Sequence, residues 1–437
     1  MISAFTLLFL AALLSIALHR SYFLKPFALM ALGISAFFTL DGAVVPLSGF
    51  VSDVSTQLFE LIVEIVLFAL VLHEDEDISI TQVLFIGAAS VLLLQSNTLI
   101  SFVLSFEAVS IISVVLVSYI KTKDQAEGAV KMFIAGALGT GFLFLGVFFY
   151  VMGGGDLLQE ITSEANRFEI IGLFIMLSGI FYKLTIVPFH GWAVDSYALV
   201  RHSHAAILTA VAKTVVALAT FKLFAPFLAT HINLSVPLLA TLAVITMTLG
   251  NFLALFEKNI AKILSYSSIA HAGYILLAFV AVKSEYAKDG ILYMSIAYIF
   301  MQSAAFLVLD ILRKKYEVQR LQELQGFVSQ NAILAFFFTL QLFSLAGIPL
   351  LAGFLSKAVV FYAVVDAGFW YIALIALLNS ALSVGYYAWI IKTIYFDKST
   401  SKERHVEITL PLFAQIILAV GTIYFGIFAG VVFSSSL

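Results

Sequence analysis

Apolar runs of about twenty residues recur along the whole chain, near 3–18, 22–40, 57–72, 79–95, 99–120, 128–152, 169–198, 203–224, 234–255, 260–281, 289–312, 329–362, 369–395 and 408–433. A run of that length is what an α-helix needs to cross a hydrocarbon layer about 30 Å thick at about 1.5 Å per residue. Strands of a membrane barrel would instead alternate apolar and polar positions over about ten residues. The runs therefore predict an all-α integral membrane fold with about 14 transmembrane helices. Composition agrees, since 62% of residues are apolar, only 11% are charged and the mean hydropathy is +1.07, far from a soluble domain. The first run has no basic region ahead of it and leads into no soluble domain, so it is expected to be a retained helix rather than a signal peptide. The absence of cysteine excludes thiolate-ligated iron–sulfur clusters and disulfides within this chain.

Lys and Arg divide unevenly between the connections. Arg20, Lys25, Lys121, Lys123, Arg201, Lys258, Lys262, Arg313, Lys314, Lys315, Arg320, Lys392, Lys398, Lys402 and Arg404 fall in or beside odd-numbered connections. Only Arg167, Lys222, Lys283 and Lys288 fall in even-numbered ones. Basic residues accumulate in cytoplasmic loops, so the odd connections are expected on the cytoplasmic side and both termini on the other. Four lysines remain inside the runs: Lys131, Lys183, Lys213 and Lys357.

Two runs are too long for one straight helix, and each carries a proline. "YKLTIVPFHGW" at 182–192 contains Pro188, and "FSLAGIPLLAGF" at 343–354 contains Pro349, 161 residues later. At the same offset "KDQAEG" from Lys123 meets "SEYAKD" from Ser284. The register predicts two five-helix units, and an odd number of helices inverts the second unit relative to the first, as in many transporters. A single membrane domain, 1–437, would then hold three leading helices in 1–78, a first unit in 79–230, a second in 231–396 and a closing helix in 397–437. Pro188 and Pro349 are expected to break their helices.

A lysine in the middle of a membrane costs about 2.5–3.5 kcal/mol on insertion scales and marks an ion path or a wet cavity. Lys183, Lys213 and Lys357, with Glu107 in "LSFEAVS", form a sparse line of such groups. Proton transfer suits them. Burial disfavours the charged ammonium, whereas a carboxylate about 4 Å away at an effective dielectric near 20 favours it by about 4 kcal/mol. Small movements then decide whether the proton stays. Arginine could not serve, because it does not release its proton. His271 and His190 are candidate relays. Lys131 lies close enough to a helix end to snorkel, so relay and anchor both stay open for it. His202 and His204 fall at a helix start, where solvated positions are expected, and lack the partners of a metal site; no metal is assigned. Glu60 and Glu64 are spaced one turn apart to meet a lysine or a partner, and Asp310 is spaced for an ion pair with Arg313.

Four segments carry a resemblance: "GAVKMFIAGALGTGFLFLG" (128–146), "YKLTIVPFHGWAVDSY" (182–197), "GNFLALFEKNIAKILSYSSIAHAGYILLAF" (250–279) and the stretch from "LAGIPLLAGFLSKAVVFY" to "IIKTIYF" (345–396). With them the chain resembles the antiporter-like membrane subunits of respiratory complex I, most closely the NuoN type. The resemblance implies two inverted five-helix units and proton translocation driven by quinone reduction elsewhere in the complex. It implies that Glu107, Lys183, Lys213, His271 and Lys357 carry protons. Lys357, where the NuoM type bears glutamate, and the ending "FSSSL", without the long lateral helix of the NuoL type, point to NuoN. The family's proline-containing segment before the eighth helix is replaced here by "ALVRHSHAAILTAVAK", and the first hundred residues carry little of the likeness.

The resemblance further implies a non-catalytic subunit of a proton-translocating NADH:quinone oxidoreductase in a bacterial or archaeal cytoplasmic membrane. It would bind no cofactor itself, with quinone, NADH, FMN and iron–sulfur clusters in partner subunits. Its partners would be a neighbouring antiporter-like subunit, small membrane subunits and lipid, and no nucleic acid. Alternatives with the same fold are a subunit of a multi-subunit cation/proton antiporter or of a membrane-bound hydrogenase. A small-molecule symporter and a structural spacer are further readings.

Overall fold

A computed structural model describes residues 3–45, 47–118, 122–158, 166–397 and 410–430. Lys121, Lys398, Lys402, Arg404 and the closing "FSSSL" lie outside the described residues. The apolar runs fold as helices whose starts are set by polar caps. Ser3, Asp53, Thr98, Thr122, Asn166, Asn259 and Asn331 each accept a first-turn backbone N–H with a side-chain oxygen, satisfying donors that an apolar surround would leave unpaired.

The first six crossings are single helices: α1 (Ala4–Ala17), α2 (Leu24–Leu40), α3 (Val54–His73), α4 (Asp77–Gln95), α5 (Leu99–Val117) and α6 (Lys123–Met152). The seventh is broken into α7 (Arg167–Leu184) and α8 (Ala193–Leu199). The eighth joins α9 (His202–Ala206) to α10 (Lys213–Thr230) through a π-helical stretch, Ile207–Ala212. α11 (Ile232–Phe256), α12 (Ile260–Val280) and α13 (Ala287–Tyr316) follow. The twelfth is broken into α14 (Ala332–Ala346) and α15 (Ala352–Asp366), before α16 (Trp370–Tyr395) and α17 (Leu410–Ile427). Counting each interrupted segment once gives, among the described residues, the fourteen helical segments expected from the sequence.

Contacts between connections separate into two layers. On one side, the Arg20 N–H donates to Asp77 at 2.6 Å, Arg201 pairs with Glu74 at 3.1 Å and Glu76 at 2.5 Å, and Asn259 bridges to Arg320. On the other, the Asn97 N–H donates to Gly49 O at 2.8 Å, Lys288 pairs with Asp53 at 3.0 Å, and Ser284 donates to Asp366 at 2.6 Å. Odd connections meet odd ones and even meet even. Successive crossings therefore run in opposite directions.

The two five-helix units comprise α4 to α10 and α11 to α16. Their third crossings, α6 and α13, are 30 residues each. Their broken crossings end alike: Thr185 (φ 60°) and Gly347 (φ 90°) take the left-handed conformation, and the next residue's N–H reaches back five positions, Ile186 to Phe181 O at 3.1 Å and Ile348 to Phe343 O at 3.0 Å. That is the Schellman closure of a helix C-terminus, after which proline cannot resume the helix. The breaks thus begin a few residues before Pro188 and Pro349, earlier than the prolines alone suggest.

Burial locates the centre. The most apolar 18-residue windows of α13 and α12 are 100% and 94% buried, against 28% for α6. Glycine allows the closest helix pairs: a Cβ on Gly179 would lie 2.5 Å from Gly139 O, and one on Gly250 would lie 2.6 Å from Ala270 N. Small residues at such crossings let backbones approach where lipid offers no hydrophobic drive.

Candidate functional site: a buried polar line between two helix breaks

Lys213 opens α10 directly after the π-helical stretch, an irregularity that turns the helix and often marks a functional position. Its side chain is fully buried. Nζ donates to Thr185 Oγ1 at 2.9 Å, to Ser268 O at 3.0 Å and to Ser268 Oγ at 2.6 Å. Thr185 is the left-handed residue that ends α7, so the first helix break itself supplies a ligand for the ammonium. The Tyr197 ring lies 5.8 Å from Nζ.

From Ser268 the line continues along α12. His271 is one turn further on and 2% exposed, its ring 5.0 Å from Tyr298 and 5.6 Å from Tyr274. It lies close enough to Lys213 and Lys357 for both ammonium groups to act on it. Lys357, on α15, lies 5.2 Å from the Tyr274 ring centre. Its Nζ donates to Leu345 O at 2.9 Å, Ala346 O at 3.2 Å and Ser380 Oγ at 3.1 Å. Leu345 and Ala346 are the last residues of α14, whose carbonyls the second break frees and whose dipole favours a cation there. Both breaks therefore end on a lysine. Tyr274 extends the network to Asn251 at 3.3 Å, which accepts from Tyr386 at 3.1 Å and donates to Asn379 O at 3.1 Å.

Glu107 and Lys183 face a cavity of about 340 Å³ at the other end of the line. Thr140 Oγ1 donates to both Glu107 carboxylate oxygens, at 3.0 and 3.1 Å. Ile111 and Phe133, both exposed, rim the cavity, so it opens on an outer face of the bundle. Lys183 sits in the last turn of α7, two residues before Thr185, within electrostatic reach of Glu107.

The structure thus brings together Glu107 with Lys183, and Lys213 with His271 and Lys357. Lys131 stands apart in a half-exposed ion cluster, 2.5 Å from Glu127 and 2.6 Å from Asp195, which also lies 3.7 Å from Lys262. His190 occupies the turn after Pro188, partly exposed. Two expectations need correction. His202 and His204 are buried, at 4% and 1% exposure, because Arg201 with Glu74 and Glu76 closes over the helix start and Ser79 meets His204 Nε2 at 2.9 Å. Asp310 pairs with Lys314 at 2.7 Å and with His73 at 3.0 Å instead of with Arg313, the i,i+4 spacing and a distant helix deciding the partner. Glu60 and Glu64 are both buried. Gln95 donates to Glu60 at 3.2 Å; Ser35 donates to Glu64, and so does Thr39, at 3.2 Å. Among the described residues no cluster of three or more His, Asp or Glu is placed to hold a metal.

Sequence comparison matches residues 96–383 to the family described as NADH:quinone oxidoreductase/Mrp antiporter, TM. The chain belongs to this family. It is 34% identical over 356 residues to NADH-quinone oxidoreductase subunit N of Trichlorobacter lovleyi, covering 79% of this chain and 73% of that one. It is 31% identical over 356 residues to F(420)H(2) dehydrogenase subunit N of Methanosarcina mazei, covering 78% and 72%. Its fold matches a chain of respiratory complex I from Thermus thermophilus with a TM-score of 0.85 at 23% identity, over 99% of this chain and 98% of that one. The membrane-spanning helical fold is as the sequence predicts and the seventh and twelfth crossings are interrupted, with the breaks opening before the prolines, whereas Thr185, Ser268, Tyr274, Tyr298 and Ser380 join the line without having been singled out.

Proposed function

We propose that this chain is the N-type, antiporter-like subunit of a complex I-type NADH–quinone oxidoreductase and that it moves protons across the membrane. One observation carries the reading: a buried polar line runs between the two helix breaks, through Lys213, Ser268, His271, Tyr274 and Lys357. Lys213 and Lys357 are each held by neutral oxygens, two hydroxyls and a carbonyl within α12 for Lys213, one hydroxyl and the freed carbonyls of α14 for Lys357. Such ligands support an ammonium without locking it, so the proton can leave when a nearby charge changes.

Glu107 and Lys183 form the switch in this account. When the Lys183 ammonium is drawn towards Glu107, it withdraws positive charge from the Thr185–Lys213 end, and Lys213 holds its proton. When it swings back, Lys213 is repelled and passes its proton through Ser268 to His271 and on to Lys357. The outer-face cavity beside Glu107 is where a neighbouring membrane subunit would act on the switch. The chain itself holds no redox group in this reading. NADH, FMN, iron–sulfur clusters and quinone belong to partner subunits, and the energy arrives as a change of charge or conformation. The basic odd connections would face the cytoplasm.

Purification of the native complex and reconstitution in sealed vesicles tests the proposal. NADH and a quinone should drive acidification on one side, unaffected by a sodium ionophore. Co-purification without quinone-reducing partners, or Na⁺ transport in place of H⁺, would move the chain to the antiporter branch of its family.

A further inference from the structure

We infer that His202 collects the proton for Lys213 from the side of the odd connections, through a lane of buried polar side chains between α9, α12 and α13. The inference rests on the proton-translocating reading above and adds the entrance to it.

The lane begins at a cavity of about 60 Å³ lined by Asp124, His202, Asn259, Lys262, Arg313 and Gln319, all at or beside odd connections. A cavity of that size and polarity accommodates water. His202 is 4% exposed, packs on Phe306 with ring centres 6.3 Å apart, and its Nδ1 has no hydrogen-bond partner among the described residues. Inward from it, Ser203, Ser303 and Gln302 are all fully buried. Ser203 Oγ, Ser303 Oγ and Gln302 Oε1 likewise find no partner among the described residues, while Gln302 Nε2 reaches Leu264 O at 3.5 Å.

Phe306, Gln302 and Tyr298 repeat at i and i+4 on one face of α13, so they span about 12 Å of helix. Tyr298 lies against His271, and Ser268 holds Lys213, so the lane ends at the centre of the line. A buried polar atom without a partner destabilises the fold, and native interiors leave few of them. A row of them joining a surface cavity to a buried ammonium is the arrangement that a chain of internal waters satisfies. The charged groups at its mouth are Asp124, Lys262 and Arg313, which line the cavity, with Asp310, Lys314 and Arg201 near His202 and His204 and with His73 paired to Asp310. Asp310 holds His73, leaving His202 as the histidine that borders both the cavity and the lane.

The test uses the intact complex in sealed vesicles and reads protons moved per NADH oxidised. His202→Ala and Gln302→Leu should each lower this ratio towards the value that Lys213→Ala leaves, and imidazole supplied on the odd-connection side should restore it in His202→Ala alone. Because the chain has no cysteine, Ser303→Cys adds a second reading: a small thiol reagent should modify it from the odd-connection side and not from the other. Unchanged ratios in both variants while Lys213→Ala loses pumping, or labelling of Ser303→Cys from the even side, overturn the route but leave the function standing. A Lys213→Ala complex that pumps normally removes the function and the route together.

Discussion

Lys213 Nζ lies 2.9 Å from Thr185 Oγ1, which makes the ammonium of the eighth crossing and the end of the broken seventh helix one unit. Thr185 is in the left-handed conformation at φ 60°, where a β-branched residue is strained. The hydroxyl, and not the backbone geometry, explains its presence. Thr185→Ser should pump nearly as wild type. Thr185→Val should lower proton movement several-fold, because a hydrogen bond to a charged group contributes about 1.5–3 kcal/mol. Initial rates of vesicle acidification separate the two.

Lys357 is bound by the terminal carbonyls of α14. Lys357→Arg keeps the positive charge that these carbonyls favour but removes the ability to release a proton. Its pumping should fall as far as that of Lys357→Ala, while the arginine variant assembles better. A Lys357→Arg complex that pumps normally would mean that the charge alone matters.

Close packing of α6 on α7 depends on glycine. A Cβ at Gly179 would meet Gly139 O at 2.5 Å and Leu143 N at 2.7 Å, and both are backbone atoms that move only if the helices part. Gly179→Val should destabilise the subunit by about 1–3 kcal/mol, read as a lower thermal midpoint of the detergent-solubilised complex.

Asp53 caps α3 on the even-connection side and pairs with Lys288 at 3.0 Å. Partial burial raises its carboxyl, but hydrogen bonds from the Thr56 side chain and backbone, and the bond and charge of Lys288, outweigh that and hold it well below the usual carboxylate range. A group depressed on folding contributes its full stability above its unfolded value of about 3.9 and loses it as pH falls towards the folded value. Asp53→Asn should therefore lower the thermal midpoint modestly at neutral pH, where the carboxylate's contribution is fully present, and flatten the further loss below about pH 4; the effect stays modest because asparagine still caps the helix and the ion pair is half exposed.

Much of this was legible in the sequence for a physical reason. Hydrocarbon thickness fixes helix length, so the fourteen runs announce themselves, and charge is expensive in hydrocarbon, so Glu107, Lys183, Lys213 and Lys357 stand out. Hydroxyls do not. Ser105, Ser113 and Thr220 bond only their own helix carbonyls, and nothing local distinguishes them from Ser268 or Thr185. His202 and His204 were misplaced because the cover over them, Arg201 with Glu74, joins residues far apart in the chain. Asp310 meets His73 across 237 positions, where helical spacing has no say.

The central claim is that Lys213 carries the transported proton, and the most direct measurement is the number of protons moved per NADH oxidised by the reconstituted complex with Lys213→Ala beside wild type. The account predicts an assembled complex whose ratio falls by the contribution of this subunit, with no new sodium movement. An assembled Lys213→Ala complex with an unchanged ratio would contradict it.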